Sequence, residues 1–297
     1  MRKKILLAIP VFFLFVLVMF PYATFKNMAI VQLASRTGVH VFPESLTPSF
    51  LGLGVAMKDT SVQIMTPAVK RGYVAVDFVD LEAYLPWGGL LSFEPRVRVS
   101  GSLQPSCPLA VELMPKGSEV QLALELKSLP AKPYLTQLGL EAVGLNGTIS
   151  LILDSVVGLQ KQRIQKTHLQ LTVDHLRSEE MELGGFLIPE LSFSSPLQIR
   201  ADSDDGSQFK LQLEIGQSET DPIHISSEGS WVLNLEKQSD STFDLKNKIH
   251  IRPEFASHAS FQLLLPLLES FQVDPGVYHV QVSGNLEQGV TGIPTKF

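Results

Sequence analysis

Apolar and polar residues alternate one by one along much of the chain beyond residue 38. In LNGTISLILD (145–154), Ile149, Leu151 and Leu153 fall on one side, and Thr148, Ser150 and Ile152 on the other. The same period of two runs through VRVSGSL (97–103), VQLALELK (120–127), HLQLTVDH (168–175), FKLQLEIG (209–216), KIHIR (248–252) and YHVQVSGNL (278–286). A side-chain period of two is that of a β-strand, and one apolar row facing one polar row marks antiparallel strands with a dry and a wet face. Turn-forming stretches separate them: MPKGSE, SDDGSQ, QSETDP, QSDST and VDPGVY. Few long helical patterns intervene, as a parallel α/β fold would require, so the body is expected to be mainly antiparallel β.

The dry rows are Leu122, Leu124 and Leu126; Ile149, Leu151 and Leu153; Leu169, Leu171 and Val173; Phe209, Leu211, Leu213 and Ile215; and Val280 with Val282. They are the candidate lining of a core or groove. The expected form is a long, twisted, trough-like sheet with these rows along its concave side. Glycines recur before a small polar and an apolar residue, at Gly101, Gly147, Gly229 and Gly284. Inside strands, glycine marks bulges and bends that help a long sheet curve. Two stretches, 128–144 and 254–271, break the alternation and hold short helices, the first around Tyr134 to Leu140.

The first 25 residues follow a different rule. After Arg2, Lys3 and Lys4, Ile5 to Phe25 carries no charge over 21 positions. As a helix this spans about 31 Å, matching a hydrocarbon core of roughly 30 Å. The basic flank holds the N-terminus in the cytoplasm and sends the body across the membrane. FPYATF offers a poor signal-peptidase site, which favours an uncleaved anchor over a signal peptide. The expected organisation is a cytoplasmic tip and transmembrane anchor (1–25), a helical extension (26–38), a β domain (39–288) and a tail (289–297).

Charge and chemistry narrow the function classes. The chain's net charge is −6, and without its three N-terminal bases 21 basic residues face 30 acidic ones. An acidic body lacks the footprint that nucleic acid or anionic lipid heads require. The lone Cys107, in the Pro-rich QPSCPL, rules out an intrachain disulfide and reads as a small turn residue. The seven histidines form no metal-binding spacing, and His168, His250 and His279 fall on wet faces of strands. DSDDG (202–206) misses the calcium-loop pattern at its glycine and at Leu213, and reads as a hairpin turn. Asn146-Gly147-Thr148, formally a glycosylation acceptor, reads as a strand start. YLPWGGLL (84–91) reads as a packed turn around Trp87. No catalytic, cofactor or metal site is expected, and the protein is not expected to be an enzyme.

The order of features resembles one family. A basic-flanked anchor leads through ASRTGV to VSGSL, GLNGTISLILD, LGGFLIPELSFSSPLQIRADSDDGSQFKLQLEIG, SSEGSWVLNL and LLPLLESFQVDPGVYHVQVSGNL. Over nearly its whole length the chain looks like the type II secretion system protein N family, which is similar in plan to AsmA-like envelope proteins. That resemblance implies a bacterial inner-membrane, single-pass protein with a periplasmic β-groove. It also implies a non-enzymatic accessory role in exporting folded proteins across the outer membrane, alongside other secretion subunits. The alternative it implies is an AsmA-type lipid-transfer or envelope-homeostasis protein with lipid in the groove. EQGVTGIPTKF departs from the family pattern after Leu286 and is expected to be a loose tail.

Overall fold

The structure, a computed structural model, describes residues 30–32, 34–35, 39–65, 72–92, 95–104, 107–137, 144–158, 163–183, 186–234, 240–257, 262, 265–285, 289–290 and 294–297. The expected anchor, with Arg2, Lys3 and Lys4, lies outside these residues. Among the described residues no helix is long and apolar enough to cross a membrane. Of the expected helical extension, residues 30–32 and 34–35 are helical. The chain divides into two compact units, Met1–Ser106 and Cys107–Phe297.

In the first unit β1 (Val39–Pro48), β2 (Gly52–Met65), β3 (Tyr73–Pro86) and β4 (Val97–Leu103) form an antiparallel meander. A short helix, α1 (Trp87–Leu91), follows β3. The expected first strand at Val39 and the strand VRVSGSL are both present. Val41, Phe78, Leu81 and Leu103 are its buried apolar side chains. Trp87 is not packed in a turn as expected: it starts α1 and is 45% exposed.

The second unit carries β5 (Cys107–Lys116), β6 (Glu119–Pro130), α2 (Ala131–Gln137), β7 (Leu145–Gly158) and β8 (Arg163–Ser178). A separate hairpin, β9 (Met181–Leu183) with β10 (Phe186–Ile188), precedes β11 (Leu191–Ser192), β12 (Leu197–Ser203), β13 (Gln208–Ile215), β14 (Ile223–Val232) and β15 (Thr242–Ile251). Then come α3 (Pro253–Ala256), α4 (Leu265–Leu268), a 3-10 turn (Glu269–Phe271), β16 (Gln272–Asp274), β17 (Val277–Asn285) and β18 (Gly289–Val290). The spatial order is β5-β6-β7-β8-β12-β13-β14-β15-β17-β16, antiparallel throughout, and its two end strands do not pair with each other. The sheet is therefore open. The strands read at 97–103, 120–127, 145–154 and 168–175 lie within observed strands, and those read at 209–216, 248–252 and 278–286 fall within β13, β15 and β17 except for their last residue.

Bulges explain where strict alternation fails. Leu126 stands opposite Leu151 and Leu129 opposite Ile149, so three residues of β6 match two of β7. The extra residue, Ser128, takes φ +55°. A second bulge sets Asp174 to Arg177 of β8 against Thr148 to Asn146 of β7, with His175 at φ +53° and Gly147 at +153° across from it. One extra residue turns an odd spacing into a same-face pair. Leu176 thereby joins Val173 in a buried cluster with Phe193 and Ile215. Of the four recurrent glycines, Gly147 sits at a register shift of its own strand.

A second dry cluster holds Ile223, Ile251, Tyr278 and Val280, and α3, α4 and Phe271 pack against it. These segments close one end of the apolar face, as does α2 against β7. Ile251 is only 1% exposed. Gly216, between β13 and β14, has φ +76°, and a Cβ there would lie 1.8 Å from the Ile223 carbonyl oxygen. Gly216→Ala is expected to cost about 2 kcal/mol or more, read as a lowered midpoint in urea unfolding.

Two further expectations are corrected. Cys107 is not in a turn but opens β5, buried, with its thiol donating to the Ser128 carbonyl at 3.0 Å. A small apolar side chain facing a bulge fits that place better than a solvated turn. The tail is not loose in its described parts: β18 pairs with Gly284 and Asn285, and Thr295 bridges Gln281. Phe297 stacks on His279 at 4.9 Å, beneath the Lys246 ammonium. β17 has an outer edge of unpaired backbone groups, and the tail satisfies some of them.

Candidate functional site

The fifteen residues read as a lining share one face of the second unit's sheet. One row runs Leu126, Leu151, Leu171, Ile199, Leu213, Ser227, Asn247, Val280, each opposite the next. Its neighbour runs Leu124, Leu153, Leu169, Ala201, Leu211, Gly229, Leu245, Val282. On the closed side lie Ile149 and Val173, and Ile215 beside Ile225, Ile249 and Tyr278. On the other side Leu122 meets Ser155 and Thr167, and Phe209 meets Trp231 and Phe243. Register thus joins rows that the sequence shows only strand by strand.

Burial grades along this face. Val173, Phe209, Ile215 and Val280 are buried, and the other eleven residues are half-buried. All the half-buried leucines among them except Leu122 occupy the two middle rows, between the capped end and the Ser155, Thr167 and Ser203 hydroxyls. Full burial of a leucine is worth about 1.5–3 kcal/mol, so each of these side chains still gains part of that on contact with an apolar partner. One polar pair interrupts the face: Ser227 donates to Asn247 Oδ1 at 2.6 Å, and Asn247 Nδ2 donates to the Val280 carbonyl at 3.0 Å. Satisfied in this way, the pair adds no unmet hydrogen-bonding demand to the surface.

The opposite face is polar. His168 Nδ1 lies 2.5 Å from Asp202 Oδ1, and Asp154 stands across from His168 in register. An open depression of about 410 Å³ is lined by these three with Gln121, Ala123 and Lys166 among others. Ser203 and Thr167 are sequence neighbours of Asp202 and His168, and alternation sends their hydroxyls to the other side of the sheet. Among the described residues no group of three or more His, Cys, Asp or Glu could hold a metal ion.

At the capped end, a network that the sequence did not announce centres on Asp221, which is fully buried. Its carboxylate accepts from the Ser194 backbone N–H (2.6 Å) and hydroxyl (2.7 Å), the Ser195 N–H (3.3 Å) and hydroxyl, and the Ser218 N–H (3.1 Å). Arg252 Nε and Nη2 donate to the Asp221 and Ser218 carbonyls. Burial pushes the Asp221 carboxyl up, but the Ser195 and Ser194 hydroxyls and the backbone N–H groups outweigh it and hold it at about 2. With no base beside the serines in this network, it is a knot joining the 193–196 and 216–222 loops. A depressed carboxyl favours folding above its unfolded value of 3.8, and that contribution is lost as pH falls from about 4 towards 2. It amounts to about 2 kcal/mol. Asp221→Asn is expected to flatten the acid limb of a stability–pH curve measured by urea unfolding.

Asp205 accepts from the Ser207 and Gln208 backbone N–H groups at 2.8 Å each, and these bonds lower its carboxyl to about 2. It forms the β12–β13 turn, as expected of SDDGSQ.

These features place the chain in the class of open antiparallel β-sheet proteins with one apolar and one polar face. No family model, curated protein or solved structure matches it.

Proposed function

We propose that this chain is a non-enzymatic envelope protein, held in the bacterial inner membrane by residues 5–25, whose periplasmic sheet works through its apolar face. In this reading it is an accessory subunit of the type II secretion system. The sheet is long and trough-shaped, and the middle leucine rows receive apolar surface from other secretion subunits. One observation carries the reading: two adjacent cross-strand rows, Leu126 to Leu213 and Leu124 to Leu211, made of apolar and mostly half-buried side chains with no charged residue in either, on a sheet whose other face is polar. The resemblance in feature order and the uncharged N-terminal segment support the cellular setting. Affinity capture of the full chain from detergent-solubilised membranes is expected to recover other secretion subunits, and a deletion strain is expected to lose secretion of folded substrates. Intact secretion with no such subunit recovered overturns this reading.

The same half-burial favours a second reading, an AsmA-type lipid carrier whose rows take acyl chains. Lipid co-purifying with the full chain, in amounts reduced by a charge on the middle rows, distinguishes it from the first.

A further inference from the structure

The first unit ends in an apolar rim. The β1–β2 turn exposes Phe50 (92%), Leu51 (55%) and Leu53 (48%), and Trp87 (45%) follows β3 beside them. Leu53 pairs with Leu85 and Gly52 with Pro86, which brings the two segments to one end of the sheet. The Trp87 indole N–H donates to the Phe50 carbonyl at 3.2 Å.

Two observations say what this rim meets. First, no charged residue lies between Glu44 and Lys58 or between Glu82 and Glu94. Charges near the rim include the Glu82 carboxylate, which accepts from Ser49, and Arg98, which stands opposite Tyr84 on β4, and the four exposed side chains themselves are all aliphatic or aromatic. Second, the turn meets much of its own hydrogen-bonding demand while its apolar side chains face out. The Ser49 N–H donates to the Gly54 carbonyl at 3.1 Å, and the Leu51 N–H to the Ser49 hydroxyl at 3.2 Å. The Ser49 hydroxyl in turn reaches Glu82, and the Ser92 N–H the Gly88 carbonyl. Backbone entering lipid must be satisfied internally, because hydrocarbon offers it no partner. Tryptophan, phenylalanine and leucine are the residues that settle at a bilayer interface.

We propose that the Phe50/Leu51/Leu53/Trp87 rim inserts into the interface of the bilayer that holds the N-terminal segment. This rests on the membrane-anchored part of the functional reading. Residues 26–38, with 30–32 and 34–35 helical, can reach at most about 35 Å, and β1 is about 33 Å long, so the rim lies within range of that bilayer. Tethering supplies a high effective concentration, and a rim of four side chains then suffices. With no charge among the four inserting side chains, apolar burial drives the insertion, which is expected to persist at high salt.

The test uses the full chain in nanodiscs. Co-elution with the disc checks the anchor reading separately, before the rim is probed. The two tryptophans are Trp87 and Trp231, so the difference between wild type and Trp87→Phe isolates the Trp87 emission. In discs of brominated phosphatidylcholine, Trp87 is expected to be quenched equally at low salt and at 0.5 M NaCl. Phe50→Ser/Leu51→Ser is expected to lower that quenching at least fivefold with an unchanged melting temperature. A second arm offers brominated vesicles to chain in unbrominated discs. Quenching only in the second arm, absence of quenching in both, loss of it at high salt, or full quenching in the double variant overturns the proposal.

Discussion

Asp221→Ala is expected to destabilise the second unit by about 3–5 kcal/mol. The carboxylate accepts five hydrogen bonds from Ser194, Ser195 and Ser218 in a place sealed from water. Alanine leaves the half-buried Ser195 and Ser218 donors without their acceptor and opens a void where the buried carboxylate stood, and among these donors only the hydroxyl of the exposed Ser194 keeps a partner, in Thr220. The loss compares with a typical whole-domain stability of about 5–15 kcal/mol. Its first effect is local, because the carboxylate joins the 193–196 and 216–222 loops. Limited proteolysis at these loops should accelerate, and the urea midpoint should fall. Asp221→Asn keeps an acceptor oxygen and is expected to cost about half as much. If Asp221→Ala melts like wild type, the knot is not structural.

A carboxylate on the apolar face is expected to act differently in adjacent rows. Leu153 lies between Leu124 and Leu169 in the middle of the half-buried rows, outside both dry clusters. In Leu153→Asp the charge reaches water, so the fold is expected to survive with a loss of about 1–2 kcal/mol, while capture of a fluorescent fatty acid or of partner subunits falls tenfold or more. Leu171 is also half-buried but packs against the Val173, Leu176, Phe193 and Ile215 cluster. Leu171→Asp is expected to cost about 3 kcal/mol and to lower stability visibly. Circular-dichroism melts of the two variants, measured beside binding, separate the roles. If Leu153→Asp unfolds the unit, the middle rows are a sealed core. If it binds as wild type, they are not the working surface.

Between them these two substitutions probe what was and was not visible in the amino-acid order. The Leu153 row is an alternation over adjacent residues, and a strand reports its own facing through that period alone. Asp221 bonds to groups 26 and 27 residues away, and nothing around TDP in the chain signals it. Odd spacings such as Leu126 to Leu129 and Val173 to Leu176 carried a faint sign of bulges. A period-two reading treats them as breaks, because the extra residue shows itself only against a partner strand. A large indole next to glycines suggests a packed turn at Trp87, but the neighbouring sequence does not say which side is covered. The tail that ends in Phe297 looks loose in sequence because short segments without alternation give no register of their own.

Local patterning alone therefore determined the seven strands read from alternation, their dry and wet faces, the SDDGSQ turn and the uncharged N-terminal run, while strands such as β2, β3, β5, β12 and β14 carry too weak an alternation to be read. Each depends on residues within a few positions of one another, where steric period and turn chemistry act. Only the tertiary structure decided which strands adjoin, that their dry rows coincide into one half-covered face, and that a buried aspartate and an exposed aromatic rim lie at element ends. Those depend on pairing and burial between distant segments, which no short stretch of chain encodes by itself.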